Sequence, residues 1–175
     1  MSLESEFEEI VNLHYHRLYQ FALSLTHDES DAADLTQQTF LVWASKNHQL
    51  EDRSKAKTWL FTILHRDFLS TRRRLERFKF VDVVQVEEEL PPSKEESASL
   101  IDAARVLEAL AQVDEAFRAP LALFYLEDIS YKEISEILGV PMGTVKSRLS
   151  RGIDQLQQLL GLTGELTVGE SLVND

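Results

Sequence analysis

The sequence predicts an all-α protein: two small helical domains joined by an acidic linker, the C-terminal one containing a helix-turn-helix. Apolar residues recur at spacings of three and four in both halves, as in amphipathic helices. Between them lies a stretch with consecutive acids, a Pro-Pro pair and few large apolar residues, which is typical of a linker. Residues 130–152 indicate two short helices joined by a tight turn. We expect domains at 1–80 and 100–162, a linker at 81–99 and a flexible tail at 163–175.

Composition excludes several classes of protein. The chain has 175 residues, 43% of them hydrophobic, and no apolar run approaches the roughly 20 residues that a membrane-spanning helix needs. Its N-terminus is acidic, whereas a signal peptide needs a basic start and an apolar core. Cysteine is absent, so disulfides and zinc-thiolate sites are excluded. We therefore expect a soluble cytoplasmic protein without membrane insertion.

The first helix packs one face inward. Its apolar face comprises Phe7, Ile10, Val11, His14, Tyr15, Leu18, Ala22 and Leu25. The second helix is opened by Asp28 or Ser30, either of which could cap its first turn.

The second helix has two distinct faces. Leu35, Thr39 and Val42 share one of them. The other carries a carboxylate, two amides and a leucine, from Asp34, Gln37, Gln38 and Leu41. Such a face suits docking on a basic helical partner, although a merely solvated polar face is the default for a single helix.

Basic side chains are concentrated between residues 53 and 79. They are Arg53, Lys55, Lys57, Arg66, Arg72, Arg73, Arg74, Arg77 and Lys79, against two acids, Asp67 and Glu76. This distribution is an electrostatic footprint for a phosphate backbone. The aromatic residues Trp43, Trp59, Phe61 and Phe68 lie in or near the segment, but the helical spacing around Trp59 favours a core role for most of them.

The helix-turn-helix has local start and stop signals. Ser130 and Glu133 form a capping box, and Gly139 supplies the left-handed residue that ends the first helix. The predicted core consists of Ile134, Ile137, Leu138, Val145 and Leu149. Pro141 suits the first turn of the second helix, whose free N–H groups at 142–144 could approach a phosphate, and Gly143 would let that approach be close.

Polar and basic residues face away from the Val145/Leu149 stripe. They are Lys146, Ser147, Ser150 and Arg151. Lys and Arg can bind guanine edges or phosphates and Ser can bond to either, so these residues are candidates for major-groove contact. The alternative is an ordinary helical hairpin with a solvated basic face.

The net charge of −12 opposes DNA binding at long range. The charges are segregated, however, and a locally basic surface can bind phosphate within an acidic protein. We therefore expect the free protein to bind DNA poorly and to need a partner that holds it there.

Three segments resemble the extracytoplasmic-function sigma factors, the smallest members of the sigma-70 family. LEDISYKEISEILGVPMGTVKSRLSRGIDQL (126–156) is similar to the region that reads the promoter −35 element. DAADLTQQTFLVWASK (31–46) resembles the segment that docks on the clamp helices of the largest RNA polymerase subunit, and KTWLFTILHRDFLSTRRR (57–74) resembles the segment that opens the −10 element. The resemblance extends over almost all of residues 7–160.

The resemblance implies a promoter-specificity subunit with three binding surfaces. Core RNA polymerase would contact Asp34, Gln37, Gln38 and Leu41. Single-stranded −10 DNA would contact a loop at 46–54 that captures a flipped base, with Asn47, His48, Gln49 and Arg53, together with Lys57, Arg66, Arg72, Arg73 and Arg74. Duplex −35 DNA would contact Thr144, Lys146, Ser147, Ser150 and Arg151. An anti-sigma factor is a further implied partner, and in this family the linker runs toward the RNA exit path.

The chain departs from the family pattern at two positions. Gln38 stands where an acid is common, which should weaken attraction to basic clamp residues. Asp67 stands where the family commonly has Asn, and would lie near the DNA backbone unless it pairs with Arg66 or another arginine.

Enzymatic activity and cofactors are not expected, because the five histidines are scattered and no phosphate loop or serine elbow is present. The sequence is also compatible with two rival functions. One is a free-standing helix-turn-helix regulator that binds an operator, and the other is a helical interaction protein that does not read sequence. The basic segment 53–79 argues against the first rival, because an operator-binding regulator needs no second DNA site.

Overall fold

The computed structural model describes residues 3–78 and 98–161. Seven α-helices follow one another along these residues: α1 Leu3–Thr26, α2 Glu29–Lys46, α3 Ala56–Phe78, α4 Ala98–Gln112, α5 Glu115–Tyr125, α6 Tyr131–Leu138 and α7 Met142–Leu160. Two single turns of 3-10 helix, Asn47–Gln49 and Arg53–Lys55, separate α2 from α3. The described residues contain no strand, and the predicted all-α fold is confirmed. Most of the predicted linker, 81–97, and the tail, 163–175, lie outside the described residues.

Helices α1 to α3 pack around one apolar core. Phe21 and Phe61 are fully buried in it, and the buried Trp43 packs edge-on against Trp59 at 5.3 Å between ring centroids. Trp43, Trp59 and Phe61 therefore have the core role that was predicted for them, and Phe21 is a core residue that the predicted face of α1 did not include. Of the two candidate caps of α2, the structure selects Asp28, whose carboxylate accepts a 2.8 Å hydrogen bond from the Asp31 N–H.

The prediction that Tyr15 belongs to the core face of α1 is wrong. Tyr15 is 42% exposed, and its ring stacks on Phe40 with 6.2 Å between centroids. The Tyr15 ring also stacks on Tyr19 of the same helix, at 6.4 Å between centroids. Tyr15 therefore lies at the edge of the apolar face of α1, and not in its core.

The helix-turn-helix forms as its local signals predict. Ser130 and Glu133 make both hydrogen bonds of the capping box, and Gly139 ends α6 with φ 65°. Ile134, Ile137, Val145 and Leu149 are buried, whereas Leu138 is only half-buried at the edge of this core.

Helix α7 is long because its apolar stripe continues past Leu149 through Ile153 and Leu156, which pack with α5 and α4. The crossing with α5 is close at Gly152, where a Cβ would lie 2.8 Å from Leu121 Cδ1 and 2.9 Å from Phe117 Cβ. The fold therefore requires glycine at this point.

The two groups of helices pack against each other, α1 on α5 and α3 on α6. This contact brings the basic helix α3 under the helix-turn-helix. No helix within 3–78 or 98–161 is long and apolar enough to cross a membrane.

Candidate nucleic-acid and partner interfaces

Helix α2 presents the polar face that its sequence predicts. Asp34, Gln37, Gln38 and Leu41 are exposed. Leu41 is 63% exposed, so most of its apolar side chain faces solvent. On the opposite face Leu35 and Thr39 are buried, and the Thr39 hydroxyl donates a 2.9 Å hydrogen bond to the Leu35 carbonyl. The arrangement leaves the four polar-face side chains available to a partner.

A groove of about 690 Å³ lies beside this face, between α2, α3 and α5. Asp34 and Gln38 line its wall on α2, Leu75 lines the wall on α3, and Arg118 lines the wall on α5. Asp67 also faces the groove, and within the described residues no ion pair joins it to an arginine. The groove thus continues the exposed face of α2 onto the C-terminal domain.

The predicted loop at 46–54 is more ordered than a plain loop. Asn47–Gln49 and Arg53–Lys55 form 3-10 turns, and Asp52 caps the second turn by accepting from the Ser54 N–H at 3.0 Å. Hydrogen bonds from Ser54 lower the pKa of Asp52. His48 and Gln49 are exposed and Asn47 is half-buried. Two of the three predicted base-binding edges are therefore open to solvent.

The exposed basic residues lie along α3 and the turn before it. Arg66, Arg73 and Arg74 are exposed, and Arg73 Nε donates to the Leu69 carbonyl at 3.2 Å. Arg53 forms a 2.9 Å ion pair with Glu6 and lies 5.9 Å from the Trp43 ring centre. These side chains form a positively charged surface that phosphates could follow.

Two other predicted DNA contacts are held by the C-terminal domain. Lys57 Nζ donates a 3.1 Å hydrogen bond to the Glu127 carbonyl. Arg72 pairs with Glu76 at 3.2 Å within α3 and also contacts the Glu115 carboxylate at the start of α5. In this conformation both cations therefore have partners in the C-terminal domain.

The outer face of α7 is open. Lys146, Ser147, Ser150 and Arg151 are exposed, while Thr144 is half-buried. One expectation needs correction: the Thr144 N–H is not free, because it donates to the Pro141 carbonyl at 3.0 Å in the tight first turn of α7. The amides of Met142 and Gly143 remain the candidates for phosphate contact.

Sequence reasoning missed the residues between the two domains. Burial, with the nearby Arg148 and Arg66, lowers the pKa of His65 to about 4. Burial also raises the pKa of Glu127 to about 7, against the opposing effects of Arg17 and Lys57. No local sequence signal marks these residues, because their partners lie far away along the chain.

Comparison with known proteins matches each half of the chain to a protein family. Sigma-70 region 2 matches residues 10–78, which cover most of α1 to α3, and sigma-70 region 4 matches residues 103–156, which include the helix-turn-helix. SigL, an ECF RNA polymerase sigma factor of Mycobacterium tuberculosis, is 33% identical over 154 residues, covering 83% of this chain and 85% of SigL. The chain belongs to the ECF sigma factors of the sigma-70 family.

Two further relatives agree with this assignment. SigE of Mycolicibacterium smegmatis, also an ECF RNA polymerase sigma factor, is 33% identical over 159 residues, which are 87% of this chain but 61% of SigE. The chain therefore spans less than two thirds of that relative's length. The solved structure of the sigma factor RpoE of Bartonella quintana, in complex with the anti-sigma factor NepR, matches with a TM-score of 0.75 and 33% identity, covering 89% of this chain and 97% of RpoE.

Proposed function

We propose that this sigma factor binds core RNA polymerase and directs it to promoters, opening the −10 element through its region 2 domain and reading the −35 element through its region 4 domain. The observation that carries this proposal is the presence of both family regions in one chain, each with an exposed surface of suited chemistry. A free-standing regulator would account for the helix-turn-helix alone. It would leave the basic surface of α3 and the polar face of α2 without a use.

The polymerase contact would be the polar face of α2, with Asp34, Gln37, Gln38 and Leu41. Its single carboxylate would attract a basic helical partner, while the exposed Leu41 would bury apolar surface on binding. Gln38 would contribute a hydrogen bond where many relatives contribute a charge. The expected consequence is a weaker but still specific contact.

The −10 contact would combine a base-binding turn with a cationic track. The exposed edges of His48 and Gln49 can form hydrogen bonds with an unstacked base, with Asn47 beside them. Arg53, Arg66, Arg73 and Arg74 would follow the strand's phosphates, joined by Lys57 and Arg72 once these leave the C-terminal domain. DNA opening would then result from preferential binding of the single strand, without a chemical step.

The −35 contact would be the outer face of α7 in the major groove. Lys146 and Arg151 would bind guanine edges or phosphates, with Ser147 and Ser150 as adaptable donors and acceptors. The half-buried Thr144 would contribute at the groove edge, beside the first-turn amides. Because Val145 and Leu149 anchor the opposite face in the core, this face of α7 is held toward solvent.

We also infer a cytoplasmic location, where core polymerase and the chromosome are found, and an anti-sigma factor as a regulatory partner. The second inference rests on the matched RpoE structure, which is a complex with NepR. The proposed role of this chain consists of binding and includes no chemical reaction. An anti-sigma factor would therefore regulate it by covering its polymerase-binding or DNA-binding surfaces.

Run-off transcription with purified core polymerase on a promoter library tests the proposal. We expect the chain to select a subset of templates that share one −10 and one −35 sequence, while core polymerase alone initiates on none of them specifically. Unselective or absent transcription with active core enzyme would overturn the proposed function.

A further inference from the structure

The first turn of α7 exposes one long apolar side chain. Met142 is the first residue of the helix and is 42% exposed. Gly143 has no side chain, Thr144 is half-buried and Val145 is buried, so Met142 is the single long side chain that this turn, described by the structure in full, presents to solvent. A recognition helix contacts base edges with its N-terminal residues. Met142 therefore lies at the end of α7 that would enter the groove.

Met142 belongs to the same surface as the proposed −35 contacts. Residues four apart are neighbours on a helix, so Met142, Lys146 and Ser150 form one exposed ridge along α7. The ridge beside it begins at Gly143 and ends at Arg151, both exposed. Nothing lies within 4 Å of a Cβ at Gly143, so the backbone next to Met142 is open to a close approach. The polar −35 face therefore continues, toward the start of the helix, into an apolar side chain.

The chemistry of methionine limits what this side chain can recognise. It has no hydrogen-bond donor and only a weak acceptor in its thioether, so it is unsuited to reading the donor and acceptor pattern of a base edge. The apolar group that the major groove offers is the C5-methyl group of thymine, which apolar side chains read by contact. The unbranched, flexible methionine side chain adapts its shape to such a contact.

Exposure by itself indicates no ligand, because single apolar residues are common on protein surfaces. Leu159 is 41% exposed on the same helix, but it lies about two helical turns beyond Arg151. Met142 differs from Leu159 by its place in the proposed reading face, beside Lys146 and next to the open backbone of Gly143. That place, together with the lack of hydrogen-bonding groups, favours contact with an apolar group of a base.

We propose that Met142 is a specificity-determining residue of the −35 contact, which selects thymine at one position by packing against its C5-methyl group. This inference rests on the proposed function, since it assumes that α7 enters the major groove of a −35 element. Lys146, Ser150 and Arg151 would supply the polar contacts of the same face. Met142 would add the one apolar contact, at the end of the helix that lies deepest in the groove.

Replacement of thymine by deoxyuridine tests this contact, because deoxyuridine lacks the methyl group and keeps every hydrogen-bonding group of the base. The −35 duplex that the chain selects with core polymerase is prepared with each thymine of either strand replaced in turn. The Kd of the polymerase complex is then measured for each duplex. With the parent protein, one replacement should weaken binding about fourfold, which is the effect of one buried methyl group. The other replacements should leave the Kd unchanged.

Two variants of Met142 connect this effect to the side chain. Met142→Ala should bind the thymine and deoxyuridine duplexes equally, because alanine is too short to reach the methyl group. Met142→Leu keeps an apolar side chain and should retain a preference for thymine. Leu159→Ala is the matched control, since it removes an apolar side chain of nearly the same exposure from the other end of α7, and it should keep the fourfold difference. Alanine favours helices, so circular dichroism should show unchanged helicity in both alanine variants.

Equal binding of all deoxyuridine duplexes by the parent, or a thymine preference that persists undiminished in Met142→Ala, would overturn the methyl contact. A selected −35 element that contains no A·T pair would overturn it as well. Run-off transcription with core polymerase separates the two hypotheses. Selective transcription together with any of these results rejects only the role of Met142, whereas absence of selective transcription with active core enzyme rejects the proposed function.

Discussion

At the residue scale, each basic side chain on the outer face of α7 could bind either a base edge or a backbone phosphate. A side chain bidentate to a base edge supplies about 1–3 kcal/mol of discrimination, whereas a phosphate contact weakens binding to all sequences alike. We expect Arg151→Ala and Lys146→Ala to separate these roles. A base reader should relax preference at one −35 position, and a phosphate contact should lower transcription from every promoter equally.

The measurement is transcription from templates carrying every single-base change in the −35 element. Gln158→Ala, at an exposed position near the end of the same helix, is the control. If both surface variants transcribe all templates like the parent, α7 is a packing element and not the reader.

The buried carboxyl of Glu127 predicts a pH dependence of stability. Burial raises its pKa from 4.5 to about 7. The folded protein therefore binds this proton more tightly than the unfolded chain does, and it loses stability as the pH rises between these values, with no further loss above them. In Glu127→Gln this loss is absent. The variant should exceed the parent by up to about 3 kcal/mol near pH 8, and by little near pH 4.5.

Thermal melting of both proteins across this range provides the test. His65 and His27, whose pKa values burial lowers, weaken both proteins on the acid side and cancel in the comparison. A constant difference between parent and variant from acid to alkaline pH would show that Glu127 does not titrate in the folded protein.

At the element scale, the two glycines of α7 should respond in opposite ways to alanine. Gly152→Ala would press a Cβ against Phe117 and Leu121 of α5, which should cost about 1–3 kcal/mol through overpacking. Nothing lies within 4 Å of a Cβ at Gly143, so Gly143→Ala should be neutral or stabilising by up to about 1 kcal/mol. The same change should weaken −35 binding if a phosphate approaches there.

Melting temperatures and −35 duplex binding by the polymerase complex distinguish these effects. Equal stability of the two variants would mean that α5 and α7 are farther apart than the structure indicates. Gly143→Ala with unchanged duplex binding would remove the first turn of α7 from the DNA interface.

The polar face of α2 is predicted to bind core polymerase, and a charge reversal at Asp34 tests this. Asp34→Arg should strongly reduce binding to core polymerase while leaving helicity intact, because the residue is exposed and the substitution repels a basic partner. Asp154→Arg, an exposed charge reversal on α7, is the matched control. Pull-down with core enzyme and circular dichroism are read together. Undiminished capture of Asp34→Arg would remove the clamp assignment.

Elements whose ends are encoded locally could be predicted from the sequence. The Ser130/Glu133 box and Gly139 define α6 without reference to the rest of the chain, and the exposed face of α2 follows from its spacing alone. The exposure of Tyr15 and the hydrogen bond of Thr144 could not be predicted in this way. The first depends on how much of a ring the neighbouring helix covers, and the second on how tightly the first turn of α7 winds.

At the scale of the whole molecule, the contacts between domains could not be predicted from the sequence. Arg118 and His27 are 91 residues apart, and Lys57 and Glu127 are 70 apart. Neither pair has a motif, because each side chain is an ordinary polar residue within its own helix or turn. Charge and spacing indicated the basic DNA candidates, and the family resemblance indicated Asn47, His48 and Gln49. The engagement of Lys57 and Arg72 by region 4 needed three-dimensional structure.

The net charge and the contacts between the domains both oppose DNA binding by the free protein. A net charge of −12 opposes approach to DNA, and Lys57 and Arg72 have partners in the C-terminal domain. Promoter binding should therefore depend on core polymerase, which would both hold the sigma factor at DNA and compete for its region 2 domain.

Gel-shift titration of a promoter duplex with and without core polymerase, at near-physiological salt, tests this dependence most directly. The free protein should bind weakly and with little sequence preference, and added core enzyme should convert this to tight binding that a −35 mutation abolishes. Tight, sequence-specific binding by the free protein alone would contradict the polymerase-dependent role and favour an operator-binding regulator.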